Sequence, residues 1–316
     1  MSNIVLTTGE TQTLAELGST AQLFSQVQNE LSTGKKVNSA QDDAVAYFQS
    51  QSLYNRSTSI TARKSQTDQS VQSLNAAISA TSAVGALLTQ LKAVLDGAKG
   101  ASVSARVSAT QQFKSIGKQL AQLVKDATYQ GLNLLTGTSA ALSTQFSERT
   151  AATLKVSGFN LTSTAAGNKN SLFTTGVVAF SSTGGLVFSN IVASGAAGGT
   201  VKGFSALDTT GTAGGSVKVS VAAAIYANTD NRLDAAVSQN NAITAALGTN
   251  VTILQARSSF AQNYSSVLSG GGDKLTLADL NTAAAQSQAL TLRQQIGIQS
   301  LSVQNTQAQS VLNLLR

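Results

Sequence analysis

The stretch ALTLRQQIGIQSLSVQNTQAQSVLNLLR, residues 289–316, decides how the rest of the chain is read. Alternate steps of three and four residues pick out Ile298, Leu301, Asn305, Ala308, Leu312 and Leu315, the a/d seam of a helix that pairs with another helix. Asn305 is its only strongly polar member. Large apolar side chains are few for the length, chiefly Leu292, Ile296, Ile298, Leu301, Val303, Leu312 and Leu315, and they do not offset the entropy of ordering the segment alone. It is predicted to order only against a partner. Residues 11–33, at the other end of the chain, repeat the same step through Leu14, Leu17, Ala21, Phe24, Gln28 and Leu31. Two marginal amphipathic helices at opposite termini are natural partners, within one molecule or between neighbours.

Composition excludes more than it suggests. The 316 residues contain no Cys, no His, no Pro and no Trp, and 11% are charged. Without Cys there is no disulfide framework or thiolate metal site, and without His the commonest metal ligand and general base are missing. Acid–base chemistry would rest on 14 Asp and Glu, most of them single on helical faces, so no enzyme activity, cofactor or metal site is expected. The absence of Pro suits long unbroken helices, since Pro in a helix interior costs about 3 kcal/mol. The net charge is +7, yet Lys and Arg are dispersed with no aromatic residues among them, so nucleic acid is not an expected partner. The start MSNIVLTTGETQTLAEL (residues 1–17) has no basic n-region, long apolar segment or cleavage site. No apolar run reads as a span, so membrane insertion is not expected, and export would use a route without a cleaved signal.

In LSTGKKVNSAQDDAVAYF, residues 31–48, Gly34 reads as the C-cap of the first helix. Ser39 or Asn38 is placed to N-cap the next, with Asp42 and Asp43 in its first turn complementing the dipole. From Asp42 to about Ala98 a seam runs through Val71, Leu74, Ile78, Thr81, Gly85, Leu88 and Leu95, and the polar run from Ser57 to Ser70 is where the helix would loosen. A loop at 97–102 leads to a helix over about 104–128, presenting Val107, Phe113, Leu120 and Val124 and stopped by Gly131. Residues 138–228 are rich in Gly, Ser and Thr, with β-branched or aromatic runs at 153–156, 177–180, 185–188 and 216–221. Gly184-Gly185 is the clearest hairpin signal there, and Glu148 and Asp208 are the segment's only acids. Helical periodicity returns over about 229–268 through Leu233, Ala236, Asn240, Ile243, Leu247, Leu254 and Leu268. Gly270 to Gly272 read as a hinge before a last helix at 276–316. The fold class is therefore mainly α, a long antiparallel helical rod or coiled-coil bundle formed by the N- and C-terminal regions, with a small β-rich outer module inserted. The parts are an N-terminal arm at 1–41, rod helices at 42–137, the module at 138–228, a rod helix at 229–272 and a C-terminal arm at 273–316.

Four phrases carry a family resemblance. They are Leu-Ser-x-Gly-basic-basic-hydrophobic-Asn-Ser-Ala-x-Asp-Asp-Ala at 31–44, ATYQGLNLLTG at 127–137, ILQARSSF at 253–260 and QSVLNLLR at 309–316, and together they resemble bacterial flagellin, the flagellar filament subunit. The resemblance implies a secreted, extracellular subunit that polymerises into a helical filament serving motility. It implies export by the flagellar type III apparatus with a dedicated chaperone, and filament cap and hook-junction proteins as further partners. A hook-filament junction protein shares the terminal helices, and a surface adhesin on a helical stalk is the reading from another class. Many flagellins carry two Arg and a Glu on a rod face read by an innate-immune toll-like receptor. The similar stretch here, LTQLKAV at 88–94, has Gln90, Lys92 and Ala93 there, which implies weak receptor activation.

Overall fold

The computed structural model describes residues 8–147, 152–162, 172, 178–180, 186–188 and 219–314. The protein is mainly helical. In chain order the elements are α1 (Thr8–Thr33), α2 (Ala44–Lys99), α3 (Val103–Asp126), β1 (Ala141–Gln145), β2 (Thr153–Ser157), β3 (Val178–Phe180), β4 (Leu186–Phe188), α4 (Val219–Thr276) and α5 (Leu280–Leu314). The chain forms two compact units, one from Met1–Thr58 with Asn263–Arg316, the other from Ser59–Gln262. These limits fall inside α2 and α4, not at 41/42 and 272/273, because both helices run on without a break.

In the Ser59–Gln262 unit α2 and α4 are antiparallel. Ser258 donates to Asp68 at 2.7 Å, Asn240 Nδ2 to the Thr81 carbonyl at 2.9 Å, and Tyr226 Oη to the Ala98 carbonyl at 3.1 Å. Their shared core contains Val71, Leu74, Leu88, Leu95, Leu233, Ile243, Leu247 and Leu254, all buried, with Ile78 half-buried at its edge. α3 adds Phe113, Ile116, Leu120 and Val124. An 18-residue window of α2 is long and apolar enough to cross a membrane, with a mean hydropathy of 1.4, which corrects the sequence reading. Part of that apolarity serves packing: 28% of the window is buried, and Leu74, Val84, Leu88 and Leu91 of α2 are fully buried in protein. The polar run of α2 does not interrupt the helix, since its hydroxyls find partners. Thr67 donates to the Arg63 carbonyl at 2.9 Å and Ser70 to the Gln66 carbonyl at 2.9 Å.

α3 ends at Asp126, where the Asn133 amide donates to the Val124 and Lys125 carbonyls at 2.8 and 3.0 Å. Gly131 therefore does not stop the helix. With Gln130 it forms a two-residue turn of positive φ between Tyr129 and Leu132, and Leu134 and Leu135 then enter the core. β1 pairs antiparallel with β2 from Ala141↔Ser157 to Gln145↔Thr153, and β3 with β4 from Val178↔Phe188 to Phe180↔Leu186. The Gly184-Gly185 turn lies outside the described residues. Residues 219–221, read as strand, open α4 instead.

Candidate assembly interface

The terminal unit is built on α1 and α5, which pack antiparallel. Gln28 Nε2 donates to Ser287 Oγ at 3.3 Å and Gln304 Nε2 to Thr13 Oγ1 at 3.4 Å. Their connections to α2 and α4 lace together: Lys36 and Val37 N–H donate to the Thr276 carbonyl at 2.7 and 3.2 Å, and Ala278 N–H to the Gly34 carbonyl at 3.1 Å. Gly34 closes α1 with φ 69° and its N–H on the Glu30 carbonyl. The N-cap of α2 is Asp43, whose Oδ1 accepts from Ala46 N–H at 3.0 Å, and not Ser39 or Asn38. Asp42 turns back, its Oδ2 accepting from Asn38 and Ser39 N–H at 2.9 Å each, and those N–H groups hold its carboxyl below the usual range. Asp279 caps α5. The Thr282 hydroxyl and the Thr282 and Asn281 N–H groups lower its pKa.

Gly270 to Gly272 form no hinge. α4 passes through them to Thr276 and breaks at 277–279. A β-carbon on Gly272 would lie 2.9 Å from the Tyr54 ring, so this glycine admits the ring close to the α4 backbone. Tyr54 Oη donates to Asp273 Oδ1 at 2.6 Å, which raises the Tyr54 pKa. Beside them Ser57 Oγ lies 2.8 Å from both Ser265 Oγ and Ser269 Oγ, a polar layer between α2 and α4.

The inward face of α1 runs through Thr13, Leu17, Thr20, Phe24, Val27 and Leu31, and that of α5 through Ala283, Ser287, Leu290, Gln294, Gly297, Leu301 and Gln304. Both are heptad seams. They share Leu17, Phe24, Leu31 and Leu301 with the apolar stripes read from the sequence, but Thr13, Thr20, Val27, Gly297 and Gln304 lie one residue earlier than Leu14, Ala21, Gln28, Ile298 and Asn305. Leu14 and Ala21 are exposed, as is Ile298, at 60%. The side chains of Ala308 and Leu312, and all of Leu315, lie outside the described residues. Close approach sets the rotation: a β-carbon on Gly297 would lie 2.5 Å from Leu17 Cδ1, so Gly297 is the socket for Leu17. A reading by apolarity passes over such a position, because the signal is a small residue opposite a Leu.

The consequence is a thin core and an apolar exterior. Among the described residues, Val27, Ala283 and Leu290 form the buried apolar cluster between the helices, with Phe24 and Leu31 packed beside it. Leu23, Leu292, Ile296 and Val303 are exposed, between 50 and 58%. Exposed apolar surface of this extent marks an interaction face. Among the described residues no group of three or more Asp or Glu side chains could hold a metal ion.

Comparison with known proteins agrees with this architecture. Residues 7–140 match the bacterial flagellin N-terminal helical region. The whole chain is similar to flagellin FljO of Caulobacter vibrioides, 25% identical with 99% of that protein covered. It is similar over its full length to the flagellin of Brucella melitensis, 26% identical with all of that protein covered. Flagellin C of Rhizobium meliloti is 34% identical over 84 residues, 27% of this chain and 26% of that one. The matched N-terminal helical region and the full-length relatives named flagellin together support a bacterial flagellin, a structural subunit of the flagellar filament.

Proposed function

We propose that this flagellin completes its folding by polymerising, and that α1 and α5 form the subunit contacts. One observation carries the reading: among the described residues the apolar cluster of the pair holds three buried side chains between helices of 26 and 35 residues, while Leu14, Leu292, Ile296, Ile298 and Val303 are left to solvent. So small a core leaves the pair marginal alone, and neighbouring copies supply the burial that orders it. The assembly seam then combines Leu17, Phe24, Leu31 and Leu301 within a subunit with Leu14, Ala21 and Ile298 between subunits. Marginal termini also suit passage through a narrow export channel. The flagellar type III apparatus, a chaperone for the C-terminal segment, the hook-junction proteins and the filament cap are the partners such a subunit requires, and the outside of the cell is its destination.

Polymerisation seeded with filament fragments tests this. Carrying Leu292→Asp and Ile296→Asp together, the chain is expected to keep its helix content in circular dichroism and to stay in the supernatant after sedimentation. Pelleting at the unmodified chain's concentration would contradict the proposal.

A further inference from the structure

The two sides of the α1·α5 pair differ in kind. On a helix, a residue one step after an inward position points to one side and a residue one step before it to the other. In an antiparallel pair the two-fold axis perpendicular to the helices brings the matching sides of both onto the same side. One side therefore carries Leu14, Ala21 and Ile298, each one step after an inward residue and all exposed. No charged residue stands among them. The opposite side is a groove of about 440 Å³. Its floor is Leu17 and Gly297, its walls include Thr20 and Ile296, and Glu16 and Arg293 flank it.

We infer that these unlike sides are complementary, the uncharged ridge of one copy seating in the groove of the next. The inference rests on the filament-subunit reading, in which the neighbour is another copy of this chain. The ridge brings no charge to the groove floor, and the two charged side chains of the groove can remain at the solvent edge, so docking strands no charge. Ridge against ridge would close a dimer and leave both grooves open. Ridge in groove is a heterologous contact, which does not close on itself and propagates around a tube or along an open helix.

Because the chain has no Cys, single thiols report this contact directly. Ile298→Cys places one on the ridge, and Ser300→Cys one in the groove lining. Polymers of each variant alone, and of an equal mixture, are treated with a short bismaleimide and read as covalent dimers. The expected result is dimers from the mixture only. Dimers from Ile298→Cys alone would show ridge meeting ridge and overturn the inference, as would polymers that give no cross-link in any mixture, with the filament reading intact in both cases. Failure of the unmodified chain to polymerise would sink the filament reading, and this inference with it. A second readout needs no thiol: Ile298→Asp should raise the critical concentration for polymerisation roughly tenfold or more, and an unchanged value would overturn the inference.

Discussion

A single missing side chain sets the geometry of the terminal pair. Gly297→Ala would place a methyl 2.5 Å from Leu17 Cδ1, so the leucine must move or the helices must part. Overpacking of this kind costs about 1–3 kcal/mol. Gly297→Ala is expected to speed amide exchange across α1 and α5 and to leave residues 59–262 unchanged; equal protection in both proteins would show that the pair does not depend on this contact. Asp279 gives the same helix a pH dependence. Its folded pKa lies below that of an unfolded aspartate, about 3.9, so its contribution is complete above that value and is lost as pH falls through the lowered folded value. The start of α5 should fray on acidification below about pH 4, and Asp279→Asn, which keeps a capping oxygen but cannot ionise, should flatten that dependence. An acid response identical to the unmodified chain would assign it to other carboxylates.

Between helices, stability is concentrated in the Ser59–Gln262 unit. Leu88 is fully buried there, so Leu88→Ala should cost about 2–5 kcal/mol, whereas half-buried Ile78→Ala should cost less. Thermal unfolding followed by circular dichroism separates the two, and equal losses would contradict the packing described. Such layers were legible in the sequence, because Leu74, Leu88, Leu95, Leu233, Leu247 and Leu254 are large, apolar and in phase. The terminal seams were legible only to within one residue, since Thr13, Thr20, Gln294 and Gln304 hold inward positions that apolarity does not flag. Gly270 to Gly272 misled for a related reason. Glycine is common both where a chain bends and where a ring must approach a backbone, and only the partner, Tyr54, decides between them. The carboxylate capping α2 was likewise visible as Asp42-Asp43, but which of the two would cap depended on the turn that Asp42 closes with Asn38 and Ser39.

As a whole, the molecule joins a well-filled helical unit to a terminal unit that exposes much of its apolar surface. On the rod face where the resemblance implies a receptor contact, this chain has Gln90, Lys92 and Ala93. Lys92 is occupied by Asp234, with Asp230 also nearby at 3.5 Å, and these carboxylates raise its pKa. An ion-paired Lys does not replace a bidentate Arg, so weak activation of the toll-like receptor is expected in a reporter-cell assay, and strong activation at nanomolar protein would contradict it. The central claim is that polymerisation completes the fold. Amide hydrogen exchange on monomer and on assembled filament, followed over residues 8–40 and 280–314, tests it most directly. Rapid exchange in the monomer, with both segments becoming protected together in the filament, is the result predicted. Segments already protected in a stable monomer, and unchanged on assembly, would show that the pair is complete without neighbours.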